Sequence, residues 1–127
     1  MAYTKHIRGL SKMDYKSNEL LKAHLEKNPM KWDEFIKKGH KEGTRVRLSF
    51  NYFCSNPDDA EMLRSFFITD TDFDVEISKK NEFWSLAGNT LDTDISLDLL
   101  NSWVEWMVKA GFKYQCVFDN WEFIEEK

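Results

Sequence analysis

The chain has 127 residues and a mass of 15.1 kDa, with 42% apolar and 15% aromatic residues, enough for one hydrophobic core and too much for overall disorder. No run approaches the ~18 apolar residues of a membrane span, and Lys5, Arg8, Lys12 and Lys16 leave the first twenty residues without a hydrophobic leader block, so a soluble, cytoplasmic protein is expected. The net charge of −4 divides unevenly, at +4 over residues 1–43 and −8 over residues 44–127; an acidic body repels phosphate and argues against direct nucleic-acid binding, while suiting a protein partner with a basic surface.

Residues 1–43 read as a basic N-terminal extension. Residues 1–12 read as a loose tail, followed by a helix carrying Leu20, Leu21, His24 and Leu25 at helical spacing. Asn28-Pro29 breaks the pattern before a second short helix with Trp32, Phe35 and Ile36, which Gly39 and Gly43 end. With so few apolar residues these helices must dock, either on the body of the chain or on another molecule.

From Thr44 the period changes to two. Val46, Leu48, Phe50, Tyr52 and Cys54 alternate with Arg45, Arg47, Ser49, Asn51 and Phe53, which predicts a strand with one face on a core. Ser55 to Asp59 carries a capping side chain, a first-turn Pro and acids, the signature of a helix start, and Ala60, Leu63 and Phe67 supply its stripe. Phe73, Val75 and Ile77 alternate as a second strand, and Lys80-Asn81 turns into a third strand over Phe83 to Ala87, after which Gly88 and Asn89 open a loop. Ser96 or Asp94 caps a long helix whose Leu97, Leu99, Leu100, Trp103, Val104, Trp106 and Met107 give a broad apolar face, Gly111 terminates it, and Phe112 to Phe118 forms the last strand. The order over residues 44–127 predicts an α+β fold, a ferredoxin-like βαββαβ sandwich with one antiparallel sheet and two helices on one face, preceded by the helical extension.

No catalytic constellation stands out. His6, His24 and His40 lie outside the predicted sheet domain. Cys54 and Cys116 sit far apart in strand-like stretches and read as buried thiols, although the first and last strands of such a fold are neighbours. Asp70, Asp72, Asp74 and Glu76 have the composition of a metal cluster, but their spacing on a strand places acids on the solvent face and the calcium-loop pattern is absent. Neither a metal nor a cofactor is expected. Trp103 and Trp106 read as core anchors, and Arg45, Arg47 and Phe53 lack the aromatic signature of RNA-binding sheets. In Phe118-Asp119-Asn120-Trp121-Glu122 the Asp-Asn pair breaks the ladder or builds a turn, and Trp121 either staples the chain end or meets a partner.

Several of these stretches together resemble one family. Phe50-Asn51-Tyr52-Phe53, the helix entry Pro57-Asp58-Asp59-Ala60, the strand Phe73 to Ile77, Trp84, and the ending Ala110-Gly111 followed by Phe118 to Glu122 resemble the regulator of ribonuclease E activity B (RraB) family. Asn120 stands where that family has Gly, and Asn tolerates a left-handed backbone. The resemblance covers residues 44–127 and leaves residues 1–43 unexplained. It implies a non-enzymatic bacterial regulator that binds ribonuclease E and modulates RNA decay. The acidic and terminal residues Asp72, Asp74, Glu76, Asp119, Trp121 and Glu122 are the candidate partner contacts. Alternatives from other classes are an immunity protein that masks a basic nuclease toxin, and a small-ligand binder using the sheet face or a pocket near Trp84 and Trp121.

Overall fold

The computed structural model describes the backbone of residues 2–124 and the side chains of residues 16–124. The fold is α+β, with three helices and an antiparallel open sheet of five strands among these residues. Helix α1 (Ala2–Lys37) is followed by β1 (Arg45–Cys54), α2 (Pro57–Asp70), β2 (Asp74–Lys80), β3 (Phe83–Asn89), the short β4 (Thr93–Asp94), α3 (Leu97–Lys113) and β5 (Cys116–Ile124).

Where a loose tail and two helices were expected, α1 runs unbroken through Pro29, about 54 Å at 1.5 Å per residue. Proline removes one backbone hydrogen bond and strains the preceding turn. Here the helix is held on both sides of that defect. Leu21 and His24 are buried before it, Asn28 beside it and Phe35 after it. With Ser17 they form a seam at spacings of four, three, four and then seven residues, the spacing of a helix laid along a partner. That partner is the same chain: α1 packs along α3 and the edge of β5.

The main sheet has the order β2-β3-β1-β5, every neighbouring pair antiparallel. β4 pairs with the start of β1, beside the point where the Thr90 N–H donates to the Leu48 carbonyl at 2.9 Å. The even residues of β1 face the core and the odd residues face away, as the alternation predicts. One face of the sheet carries α2 and α3; the other is open to solvent. Asn56 caps α2, accepting from the Asp59 N–H at 2.8 Å, and Ser96 caps α3, accepting from the Leu99 N–H at 3.1 Å.

Four expectations near element ends are corrected. β3 continues through Gly88 to Asn89 rather than opening a loop there. Gly111 does not end α3: it is buried inside it, where an added Cβ would lie 2.7 Å from the ring of Tyr52. The helix ends instead at Tyr114, followed by Gln115 with φ 60°. The last strand begins at Cys116, not Phe112, and continues through Asp119-Asn120 to Ile124 with a bulge in its register. Asn120 needs no left-handed backbone, since the positive-φ residues other than glycine among those described are Asn81 and Gln115.

The bulge has a clear purpose in packing. Tyr52 pairs with Phe118 and Phe50 with Trp121, so three steps along β5 match two along β1. Without the extra residue, Phe118 and Trp121 would face opposite sides of the sheet. With it, both enter the core, where Trp103 meets each ring edge-on at 6.2 Å. The Tyr52 hydroxyl, in the centre of this core, donates to the Met107 carbonyl at 2.7 Å.

Candidate functional site

The open face of the sheet is laid out by register. One row across the strands reads Asp74, Asn89, Ser49, Glu122, and the next reads Glu76, Ala87, Asn51, Asn120. Asp119, the extra residue of the bulge, joins the second row and accepts from Asn51 Nδ2 at 3.0 Å. Acids thus stand on the two outer strands and small or amide side chains on the two central ones. At ~4.8 Å between strands the two acidic walls are ~14 Å apart. The floor they enclose is a concavity of ≈ 370 Å³.

Two residues further along, the same face turns apolar. Phe53, Phe83 and Val117 are all exposed, and the two Phe rings meet edge-on at 4.9 Å. A molecule lying along the strands therefore meets carboxylates first and aromatic surface ~13 Å later, four residues at ~3.3 Å each.

Of the candidate contacts, Asp74, Glu76, Asp119 and Glu122 come together on this face. Asp72 does not. It precedes β2 and borders a separate apolar cleft of ≈ 190 Å³ with Leu48, Phe73, Leu99 and Trp103. Trp121 does not either. It faces the core at 2% exposure, so no partner can reach its ring in this fold. Trp84 and Trp121 lie beside different residues of β1, Cys54 and Phe50, and do not frame a common pocket.

Trp121 is the centre of a clamp supplied by α1. Its indole Nε1 donates to Asn28 Oδ1 at 3.0 Å, while Asn28 Nδ2 donates to Asn101 Oδ1 at 2.9 Å. Lys31 Nζ lies 4.5 Å from the centroid of the indole, donates to the Trp121 carbonyl and to Asn120 Oδ1 at 2.9 Å, and pairs with Glu122 at 3.6 Å. Burial pushes the Lys31 ammonium below its ordinary pKa, opposed by the Glu122 charge. One turn earlier, His24 Nε2 donates to the Phe118 carbonyl at 3.1 Å. Burial lowers the His24 pKa and the hydrogen bond only partly opposes it, so the neutral ring is the favoured donor. Phe35 completes the clamp by stacking on Phe123 at 4.1 Å.

Cys54 and Cys116 are direct partners across β1 and β5, both buried. Their shared hydrogen bond and burial hold the Cys116 thiol protonated, well above the ordinary range. Among the described residues no group of three or more His, Cys, Asp or Glu side chains is arranged to hold a metal ion. Nor is any helix among them long and apolar enough to cross a membrane.

No protein-family model matches this chain, and no curated protein does. The site is therefore defined by its own geometry. Asn28, Lys31, Ser49, Asn51 and Asn89 are not among the contacts expected from the sequence. The odd positions of β1 carried the one usable signal, since polar residues alternating with core residues mark the open face of a strand.

Proposed function

We propose that residues 44–127 are a ferredoxin-like domain resembling the regulator of ribonuclease E activity B family, and that the protein is a cytoplasmic, non-enzymatic regulator that binds a basic protein partner. The strand order β2-β3-β1-β5, with α2 and α3 on one face, supports the ferredoxin-like reading; β4 is a short addition to it. The observation that carries the binding reading is the register that assembles Asp74, Glu76, Asp119 and Glu122 from two outer strands onto one open face.

Such a face attracts Lys- and Arg-rich segments over a distance of about 8 to 10 Å at ordinary ionic strength, which raises the association rate more than the final affinity. Phe53, Phe83 and Val117 add apolar area at one end, where a bound segment can anchor a side chain away from water. By occupying a basic region of a ribonuclease, the protein modulates RNA decay without touching RNA.

The test is binding of the purified full chain to purified ribonuclease E of the native host, at low and at high salt, alongside RNA cleavage by the same enzyme. Binding that falls steeply with salt, slowed cleavage, and loss of both in the Asp74→Lys/Glu76→Lys variant are expected. Salt-insensitive binding, or full binding by that variant, overturns the electrostatic mechanism. Failure to bind ribonuclease E while neutralising a basic nuclease toxin transfers the same face to an immunity role.

A further inference from the structure

The two outer strands of the sheet are finished differently. β5 has Lys31 of α1 bonded to its Trp121 carbonyl and the rest of the α1 clamp beside it. β2 pairs with β3 on one side, and among the described residues its other side meets no strand or backbone partner. An unpaired strand edge is a row of unused donors and acceptors, and proteins either guard it or pair it.

The sequence of this edge is Asp74-Val75-Glu76-Ile77-Ser78-Lys79-Lys80. Acids occupy its first half and bases its second, and the strand as a whole is neutral. Turned antiparallel against a copy of itself about Ile77, it sets each Asp74 opposite the other copy's Lys80 and each Glu76 opposite Ser78. Residues directly opposite in an antiparallel pair share a face, so the Asp74 and Lys80 ends meet on the open side of the sheet. On the helix side, Ile77 meets its own copy at the two-fold axis; it is half-buried in one chain and would lose its remaining exposure.

We infer that β2 is a self-association edge through which two copies of this chain join their sheets, with Ile77 on the two-fold axis and reciprocal Asp74 to Lys80 pairs at its ends. The occupant is a second copy rather than an unrelated strand because reversal sets the acidic end of β2 against its own basic end, with Asp74 directly opposite Lys80 and no like charges opposed, Glu76 meeting Ser78 and Lys79 meeting Val75. The pairing is isologous and closes on itself. It leaves β5, already covered by α1, as both outer strands of the joined sheet, so the assembly stops at two. The inference goes beyond the open-face reading and does not rest on it, because the edge pairs through its backbone groups and Lys80; Asp74 is the one side chain the two share.

Sedimentation equilibrium of the full chain across a wide concentration range tests it. The expected result is a reversible dimer, twice the 15.1 kDa chain mass. Asp74→Lys and Lys80→Asp, both at exposed positions that leave the fold intact, are each expected to weaken the dimer about tenfold by setting like charges opposite at two symmetric sites. The Asp74→Lys/Lys80→Asp double variant is expected to restore it. Amide exchange should slow along β2 as concentration rises. A monomer at every concentration overturns the inference. So does a dimer that ignores both single variants, or one that the double variant fails to restore. Lys80→Asp separates this inference from the open-face reading, since it adds acid to that face while opposing the dimer.

Discussion

The two edges of this sheet show two ways of managing the same exposed backbone. At β5 the chain uses its own N-terminal helix, placing His24, Asn28, Lys31 and Phe35 against Phe118, Trp121 and Phe123. At β2 it uses nothing but charge, with Asp74 and Glu76 at one end and Lys79 and Lys80 at the other. The first edge is desolvated and hydrogen-bonded, so substitutions there register as stability. The second is solvated, so substitutions there register as association. A residue's contribution follows from which edge it serves more than from its type: Lys31 and Lys80 are both lysines, and only the first sits over an indole ring.

The largest difference between the two edges is expected from Trp121→Ala. Emptying the centre of the clamp should cost about 3 kcal/mol or more of unfolding free energy, read by chemical denaturation. A mutant that keeps its stability would dissolve the distinction between the edges. Asn28→Ala comes next, at about 1 to 3 kcal/mol, because it strands the buried Trp121 Nε1 and removes the donor to Asn101. Replacement of Lys31 by Met keeps the packed stem and removes the cation, with an expected loss of about 1 kcal/mol in the same assay.

His24 adds a pH signature to the clamped edge. Its pKa is lowered in the folded chain, so the unfolded chain binds the proton more readily. The His24 contribution is therefore complete above the ordinary value of 6.5 and is lost as pH falls below it. Denaturation midpoints should decline as the pH drops from about 7.5 to about 5, and His24→Gln should flatten that decline, since Gln cannot titrate yet can still donate to the Phe118 carbonyl. The smallest stability effect belongs to the open face and β2. Asp74→Lys/Glu76→Lys should change unfolding free energy by less than about 0.5 kcal/mol while abolishing binding of a basic partner. A large destabilisation there would mean that these acids hold the fold rather than a partner.

The alternation of β1, the caps at Asn56 and Ser96 and the β2–β3 turn at Asn81 were all legible because each depends on residues close in sequence. The acidic character of the open face was legible for Asp74 and Glu76 for the same reason, but its other wall was not. Asp119 shares its face with Val117, but Glu122, three residues further on, joins it there only because the bulge in β5 resets the register, and no local pattern announces a bulge. The long α1 was misread for a related cause. Pro29 and the buried polar His24 and Asn28 argue against a continuous buried helix until the groups that satisfy them, Trp121, Asn101 and the Phe118 carbonyl, are in place.

The α+β class, the core face of β1, the helix starts and the division between a basic N-terminal part and an acidic body follow from periodicity, capping chemistry and charge, all of them local properties of the chain. That Trp121 is a buried staple, that α1 crosses Pro29 to grip β5, and that β2 is left as the bare edge emerge only when distant segments are packed together. The first two depend on contacts between segments 70 to 100 residues apart in the chain and the third on which strands β1 and β3 take as neighbours, and the free energy of such contacts resides in burial and shared hydrogen bonds that no single segment contains.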